Sequence, residues 1–313
     1  MTKVQRFVLY FVLAISLLIG VLVLFLALPQ DGRQGIFSGK INLFASPQVP
    51  RDTLWLFDVP ESLTFADEKV PLDQDDVVER LEREVYVNAY WESNLILLFK
   101  RSSKYLPVIE RILREQGVPA DFKYLAIAES GLLNATSSAG AKGYWQILED
   151  TGKEYGLEIT PTVDERYDLE KSTLAATAYF KKAHAKFGSW TAVAASYNMG
   201  QAGFANRQQE QGQINYYDLH LNDETSRYVF RVLAYKLLFE NPAAFGYHLR
   251  EQDFYVQPEL QTVNVGKDIP DLALWAKAQG SSYKHLKMHN PWLRDRALQV
   301  TKGKTYQIRL PKI

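Results

Sequence analysis

Apolar residues recur at helical intervals from residue 75 onward. Val77, Leu81 and Val85 stand four positions apart, which predicts a helix with one buried face. Strand-like alternation is nearly absent as far as residue 250, so residues 76–250 are predicted to form one mainly α domain. Further helical stretches are predicted at 91–102, 105–116, 121–130, 170–187, 189–198 and 225–239.

The pattern changes after Glu251. The stretch FYVQPELQTVNV alternates between apolar and polar residues and is rich in β-formers, which is typical of a strand. IPDLALWAKAQG and YKHLKMHN then indicate two short helices, and KTYQIRLP indicates a closing strand. Residues 251–313 are therefore predicted to form a small α+β module with the order strand, helix, helix, strand.

The chain starts with a long apolar run. No charged residue occurs from Phe7 to Leu28, and about twenty such residues suffice for one membrane-spanning helix. A cleavable signal has an apolar region of only about 7–15 residues. Residues 1–28 are therefore predicted to be a transmembrane anchor with a short cytoplasmic start. Residues 29–75, rich in Gly, Pro, Ser and Asp, are predicted to be a linker or accessory segment.

Composition narrows the possible chemistry. The 313 residues contain 36 Lys and Arg, 36 Asp and Glu, and no Cys. A net charge of zero does not favour nucleic-acid binding, and the lack of Cys excludes disulfides and thiolate metal sites. His285 and His289 have no third ligand at metal-binding spacing, and no phosphate-binding loop occurs. We expect neither a metal nor a cofactor.

One carboxylate lies among apolar residues. Phe122, Leu125, Ala126 and Glu129 share one face of the helix predicted at 121–130, and Gly131 allows that helix to end. A carboxyl buried without a cation has a raised pKa and keeps its proton. Such a group can donate a proton to a leaving group near neutral pH. The alternative is a structural glutamate that caps or pairs.

Two further segments carry candidate binding residues. In SSAGAKGYWQ, residues 137–146, the glycines bring backbone close to a groove or form turns, and Tyr144 and Trp145 stack on a sugar or pack in the core. Gln146 offers an amide to sugar hydroxyls or acetamido groups. In AVAASYNMG, residues 192–200, Tyr197 is suited to bonding a carboxyl. Asn198 is equally well explained as a binding residue or as a helix cap.

These segments together resemble a known family. AESGLLNATSSAGAKGYWQI followed by ASYNMG is similar to the lytic transglycosylase domain of the soluble-lytic type, in the goose-lysozyme-like superfamily. The resemblance covers about residues 95–240, and later segments resemble the branch typified by membrane-bound lytic murein transglycosylase D. Tyr144 stands where the family usually has Leu, and Met199 where it has Ala. The matching positions are Glu129-Ser130, Ser138, Gly140-Ala141, Gly143, Gln146, Tyr197-Asn198 and Gly200.

The resemblance implies a lysozyme-like fold and a mechanism with one carboxylate. Glu129 would protonate the bond between N-acetylmuramic acid and N-acetylglucosamine in peptidoglycan, and would then take the proton of the C6 hydroxyl that attacks C1. Ser138, Gln146, Tyr197 and Asn198 would hold the sugars and Glu129, while Ser130 would bind substrate or support the turn. The enzyme would be anchored in the bacterial inner membrane with its catalytic domain in the periplasm.

Two alternatives remain open. A glycosidase that hydrolyses its substrate uses two carboxylates, and no Asp or Glu occurs between Glu129 and Gln146. A second acid from elsewhere in the chain would make the protein a lysozyme-like hydrolase. The same fold without activity would make it a wall-binding protein.

The C-terminal module resembles a LysM carbohydrate-binding module. The resemblance comprises the order of elements, Asn290, and a last strand that ends in Leu310-Pro311. The usual Gly-Asp-Thr-Leu start is replaced by residues 266–269, Gly-Lys-Asp-Ile. The module either binds glycan or packs on the catalytic domain without binding it.

Overall fold

The computed structural model describes residues 56–312. The predicted anchor at residues 1–28 and most of the predicted linker at 29–75 lie outside this range. Within residues 56–312, every helix is too short or too polar to cross a bilayer.

The helical part follows the apolar pattern. Val77, Leu81 and Val85 are all buried on the first helix, as their spacing predicts. The mainly α architecture is confirmed for the described part of the predicted domain. Its helices are α1 (Asp75–Ala89), α2 (Glu92–Glu115), α3 (Lys123–Ser130), α4 (Glu149–Glu154), α5 (Leu169–Phe187), α6 (Trp190–Met199), α7 (Gln201–Gln211) and α8 (Asp223–Glu240).

Helix α2 differs from the prediction of two separate helices at 91–102 and 105–116. It runs unbroken through Pro107, whose side chain is exposed. Proline removes one hydrogen bond, to the carbonyl four residues earlier. That carbonyl belongs to Ser103, which is itself exposed, so water can replace the lost donor.

Helix α8 is the centre of the core. It packs against α1, α3 and α6, and its residues from 228 to 235 are buried except Arg231. A helix that is buried nearly all round is held by its neighbours on several sides. Side chains that α8 presents to α3 and α6 are therefore fixed in position.

A short hairpin before α1 is part of this core. Strands β1 (Thr64–Phe65) and β2 (Glu68–Lys69) pair antiparallel, and the buried ring of Phe65 packs on Phe122 at 5.3 Å. The Glu68 carboxylate accepts hydrogen bonds from the backbone N–H groups of Trp190 and Thr191 and from the hydroxyls of Ser189 and Thr191. Thus the end of the segment predicted to be a linker caps the start of α6.

The C-terminal module has the predicted order of elements. The two strands pair antiparallel, with Val265 opposite Tyr306, and thirteen buried side chains form a second core that includes Val163 and Tyr167 of the helical part. The division at residues 250 and 251 remains a prediction. The elements are β3 (Leu260–Val265), α9 (Leu272–Ala278), α10 (Tyr283–His289) and β4 (Tyr306–Pro311).

A buried carboxylate joins this module to the helical part. The carboxylate of Glu158 accepts hydrogen bonds from Lys304 Nζ at 2.7 Å, Tyr306 OH at 2.7 Å and Thr301 Oγ1 at 2.5 Å. Backbone bonds reinforce the contact, for example from the Asp164 N–H to the Trp292 carbonyl at 2.9 Å. The module therefore packs on the helical part, as one of its two predicted alternatives requires.

Candidate active site

A cleft of about 880 Å³ crosses the helical part. Its walls come from the end of α3, the loop at 137–148, and helices α4, α5, α6 and α8. The structure brings five of the six predicted site residues together in this cleft and leaves out Tyr144. The five residues are Glu129, Ser138, Gln146, Tyr197 and Asn198.

Glu129 lies in the last turn of α3 and is partly buried. Its Oε1 accepts a hydrogen bond from the hydroxyl of Tyr228 at 2.6 Å. Burial raises the pKa of Glu129 to about 7, although the Tyr228 bond and the positive charge of Arg231 act to lower it and the negative charge of Glu224 adds to the rise. The carboxyl therefore holds and releases a proton near neutral pH.

Ser130 and Gly131 fix the end of this helix. The Ser130 hydroxyl donates to the carbonyl of Ala126 at 3.1 Å and to that of Tyr144 at 2.8 Å. Gly131 adopts φ 57° and its N–H donates to the Ile127 carbonyl, which ends the helix in the left-handed conformation that glycine favours. Ser130 thus ties Glu129 to the loop opposite, in line with its turn-supporting alternative.

Gln146 has an unusual backbone. Its φ is 48°, a conformation rare for residues other than glycine. Its side-chain Nε2 donates to the carbonyls of Ala135 and Gly143 at 3.2 and 2.8 Å, while its amide oxygen accepts no bond from residues 56–312. The polar residues with which this loop lines the cleft are Gln146, Ser137 and the exposed Ser138.

Tyr197 and Asn198 make different contacts from those expected. The Tyr197 hydroxyl donates to the Trp145 carbonyl at 2.6 Å, rather than to the carboxyl of Glu129. Asn198 lies inside α6, its Nδ2 donates to Glu224 Oε1 at 3.2 Å, and its Oδ1 accepts from Thr225 Oγ1 at 2.7 Å. Asn198 therefore links α6 to α8, and Gly200 is the residue that ends α6.

The aromatic pair of the loop lies in the core. Tyr144 is only 6% exposed, and its ring packs on Tyr105 at 5.1 Å. Trp145 is fully buried and donates from Nε1 to Thr173 Oγ1. Sugar stacking was the expectation for Tyr144, and its burial favours core packing instead, because a covered ring offers no face to a ligand.

Gly143 also has a packing role. Its φ is 82°, and a Cβ atom there would come within 1.9 Å of the carbonyl oxygen of Arg166. The close approach is thus to the chain's own backbone, whereas the sequence suggested an approach to whatever occupies the groove. Only glycine fits both the conformation and the space.

Sequence reasoning missed the contribution of α8. Tyr228, Arg231 and Glu224 all line the cleft, and Tyr228 touches Glu129 directly. One signal was available, since Tyr228 begins the segment YVFRVLAYKL, in which most residues are apolar and buried. A tyrosine at such a position needs a hydrogen-bond partner, but nothing in the sequence identifies Glu129 as that partner.

Two more carboxylates line the cleft. Glu154 pairs with Lys182 at 2.7 Å on the rim, where both side chains are exposed, and Glu224 accepts from Asn198. A hydrolase needs a second carboxylate. Because Glu154 is paired with Lys182 on the exposed rim, the hydrolytic alternative depends on Glu224. Among residues 56–312, no three His, Asp or Glu side chains are placed to bind a metal ion.

Comparison with family models confirms the resemblance read from the motifs. Residues 107–219 match the model described as "Transglycosylase SLT domain", which includes all six predicted site residues. Residues 261–313 match "Soluble lytic transglycosylase C-terminal LysM-like domain". The first match ends before Glu224, Tyr228 and Arg231.

Among curated proteins, the "Membrane-bound lytic murein transglycosylase D" of Escherichia coli is 27% identical over 271 residues, which is 84% of this chain and 57% of that protein. The chain therefore spans little more than half the length of this relative. A "Putative tributyltin chloride resistance protein" of Alteromonas is 29% identical over 103 residues, 32% of this chain and 50% of its own. A solved structure of an inactive mutant of lytic transglycosylase Slt from Pseudomonas aeruginosa covers 44% of this chain and 24% of its own, with a TM-score of 0.35 and 19% identity.

Proposed function

We propose that this chain is a peptidoglycan lytic transglycosylase in which Glu129 acts first as an acid and then as a base. One observation carries the proposal: a carboxyl with a pKa of about 7 lies in a cleft with the residues that match the transglycosylase motifs. A group whose pKa is close to the working pH can both donate and accept a proton. The family match and the name of the Escherichia coli relative support the same activity.

The chemistry needs no second carboxylate. Protonated Glu129 gives its proton to the oxygen that joins C1 of N-acetylmuramic acid to the next sugar, and this bond breaks. The resulting carboxylate takes the proton of the C6 hydroxyl on the same muramic acid, whose oxygen forms a bond with C1. The product carries a 1,6-anhydro ring, and no water is consumed. Glu129 ends protonated and ready for the next cycle.

The surrounding polar groups suit this role. We assign sugar binding to the Gln146 amide oxygen and the Ser138 hydroxyl, since both residues line the cleft. Tyr197 holds the loop through the Trp145 carbonyl. Burial and the charge of Glu129 raise the pKa of Tyr197 well above its usual range, so Tyr197 remains a neutral donor. Asn198 orients Glu224.

We also infer that the enzyme acts on the periplasmic side of the inner membrane. The apolar run at residues 7–28 is long enough to span a bilayer, and the Escherichia coli relative is named as membrane-bound.

Product analysis tests the proposal. Peptidoglycan sacculi are digested with the full-length protein in detergent, and the released muropeptides are separated and weighed by mass spectrometry. We expect anhydro-ended products, each one water lighter than the reducing-end product of a hydrolase. Glu129→Gln should reduce their release by at least about a hundredfold, since general acid–base catalysis contributes 10²–10⁴. Glu149→Gln, at an exposed carboxylate outside the cleft, is the matched control and should remain active.

Other products would identify the alternatives. Reducing ends that disappear in Glu224→Gln would show a hydrolase that uses Glu224 to activate water. Binding to sacculi without release of any muropeptide would show a wall-binding protein, and undiminished release by Glu129→Gln would exclude Glu129 as the acid.

A further inference from the structure

Glu84 is the least exposed carboxylate of the described helical part outside the cleft. It lies on α1, outside the stretch that matches the transglycosylase family, and is 1% exposed. Its Oε1 accepts from Arg227 Nε at 2.5 Å, and its Oε2 accepts from Arg231 Nε at 3.4 Å. Both arginines belong to α8, so one buried anion is shared by two cations on the facing helix.

One of these two arginines reaches the cleft. Arg231 lines it together with Glu129 and Tyr228. Arg231 and Tyr228 are three residues apart on α8 and therefore lie on the same side of that helix. Arg227 does not line the cleft. The ion pair between Glu84 and Arg231 thus connects α1, which lies outside the cleft, with the residues that surround Glu129.

We propose that Glu84 is a positioning residue, which holds Arg231 in place and offsets its charge so that Glu129 remains a proton donor at neutral pH. The proposal rests on the proposed function of Glu129. The titratable groups that act on Glu129 are Tyr228, Arg231 and Glu224 of α8 and Tyr197 of α6. Those that act on Glu84 are Arg227, Arg231 and Tyr235 of α8, together with Tyr216.

The sign of the effect follows from the charges. A cation near a carboxyl favours the ionised form and lowers its pKa, and Arg231 acts on Glu129 in this direction. Removal of the Glu84 charge leaves the charge of Arg231 less compensated, so the pKa of Glu129 should fall. Removal of Arg231 itself should raise that pKa.

The pH dependence of kcat/KM tests the proposal. The full-length protein is assayed for release of anhydro-muropeptides between pH 5 and pH 9 as wild type, Glu84→Gln, Arg231→Gln and the double variant. In Glu84→Gln the basic limb of the pH profile of kcat/KM should move to lower pH by about one unit, and in Arg231→Gln it should move to higher pH. A shift of this size is expected for one charge at close range in a protein. The double variant should have the limb of Arg231→Gln.

The controls separate positioning from simple structural support. Arg227→Gln breaks the other bond of Glu84, and it should leave the limb in place because Arg227 lies outside the cleft. If Glu84→Gln fails to fold, Arg231→Gln still decides the question, since an unmoved limb would overturn the proposal. A downward shift that persists when Arg231 is absent, or lower activity with no shift, would also overturn it. A wild type that forms no anhydro product would instead reject the proposed function itself.

Discussion

Glu129 and Glu158 have opposite electrostatic surroundings. Burial raises the pKa of Glu129, which receives one hydrogen bond from an uncharged tyrosine. Burial also acts to raise the pKa of Glu158, but hydrogen bonds from Lys304, Thr301 and Tyr306 outweigh it, and the pKa falls below its usual value. The donors around a buried carboxylate thus decide its charge. A carboxyl whose direct donor is a neutral hydroxyl suits proton transfer, and one bonded to a lysine suits attachment of the C-terminal module.

Loss of Glu158 should have the largest effect on folding. Glu158→Ala leaves the exposed Thr301 and Lys304 and the buried Tyr306 hydroxyl without their acceptor. Because Tyr306 loses a charged hydrogen-bond partner, we expect a cost of about 3 kcal/mol. Urea unfolding at pH 7 measures the loss. Glu154→Ala is the matched control, because Glu154 meets Lys182 at the same distance of 2.7 Å on the exposed rim. An exposed pair contributes less than about 1 kcal/mol, and equal losses would contradict the comparison.

Glu129→Gln should change stability in the opposite direction. A glutamate whose pKa is raised by folding destabilises the folded state as the pH rises from its unfolded pKa, about 4.3, to its folded pKa. At pH 8 these two pKa values set an upper limit of ~4 kcal/mol on this destabilisation. Because Glu129 is partly exposed and solvent screens its charge, the variant should be more stable than wild type by ~2 kcal/mol. Urea unfolding at pH 8 and pH 4 measures the difference, which should vanish at pH 4. A variant that is less stable at pH 8 would show that the carboxylate is well solvated.

The wild type should show the reverse linkage at Glu158. Because folding lowers the pKa of Glu158, this residue contributes fully to the free energy of unfolding when the pH is above its pKa in the unfolded chain. The contribution is lost as the pH falls through its pKa in the folded protein.

Tyr228→Phe should have the smallest of these effects. The lost hydrogen bond favoured the ionised form of Glu129, so the pKa rises and the basic limb of kcat/KM moves up. Loss of one hydrogen bond to the acid should also reduce the maximal kcat/KM about tenfold. Tyr235→Phe on the same helix is the control, since Tyr235 is buried without a bond to Glu129. A limb that stays in place in Tyr228→Phe would contradict the assigned hydrogen bond.

Local sequence patterns predicted the structural features that depend on residues close together in the chain. The spacing of Phe122, Leu125 and Ala126 places Glu129 on a buried face, and Gly131 marks the end of the helix; the structure has both features. The order of elements in the C-terminal module followed from alternation and periodicity in the same way. These inferences use neighbours within one or two turns.

Distant contacts could not be predicted. Tyr228 lies 99 residues from Glu129, and no periodicity connects them. The aromatic ring of Tyr144 is of a kind that stacks on sugars, but in the fold Tyr105 packs against this ring and covers it. The sequence predicted a break at residues 103–104, but α2 continues through them and through Pro107, where the exposed turn allows it. In each case, tertiary packing determined the outcome.

The cap that Glu68 provides for α6 lies outside the stretch that matches the transglycosylase family model. The stretch that matches the transglycosylase family model, residues 107–219, contains α6 but lacks Glu68, α1 and α8. A fragment cut at those borders would leave the first N–H groups of α6 without their acceptor and Glu129 without α8. The unit that must fold together around Glu129 is therefore longer than the stretch that matches the family model.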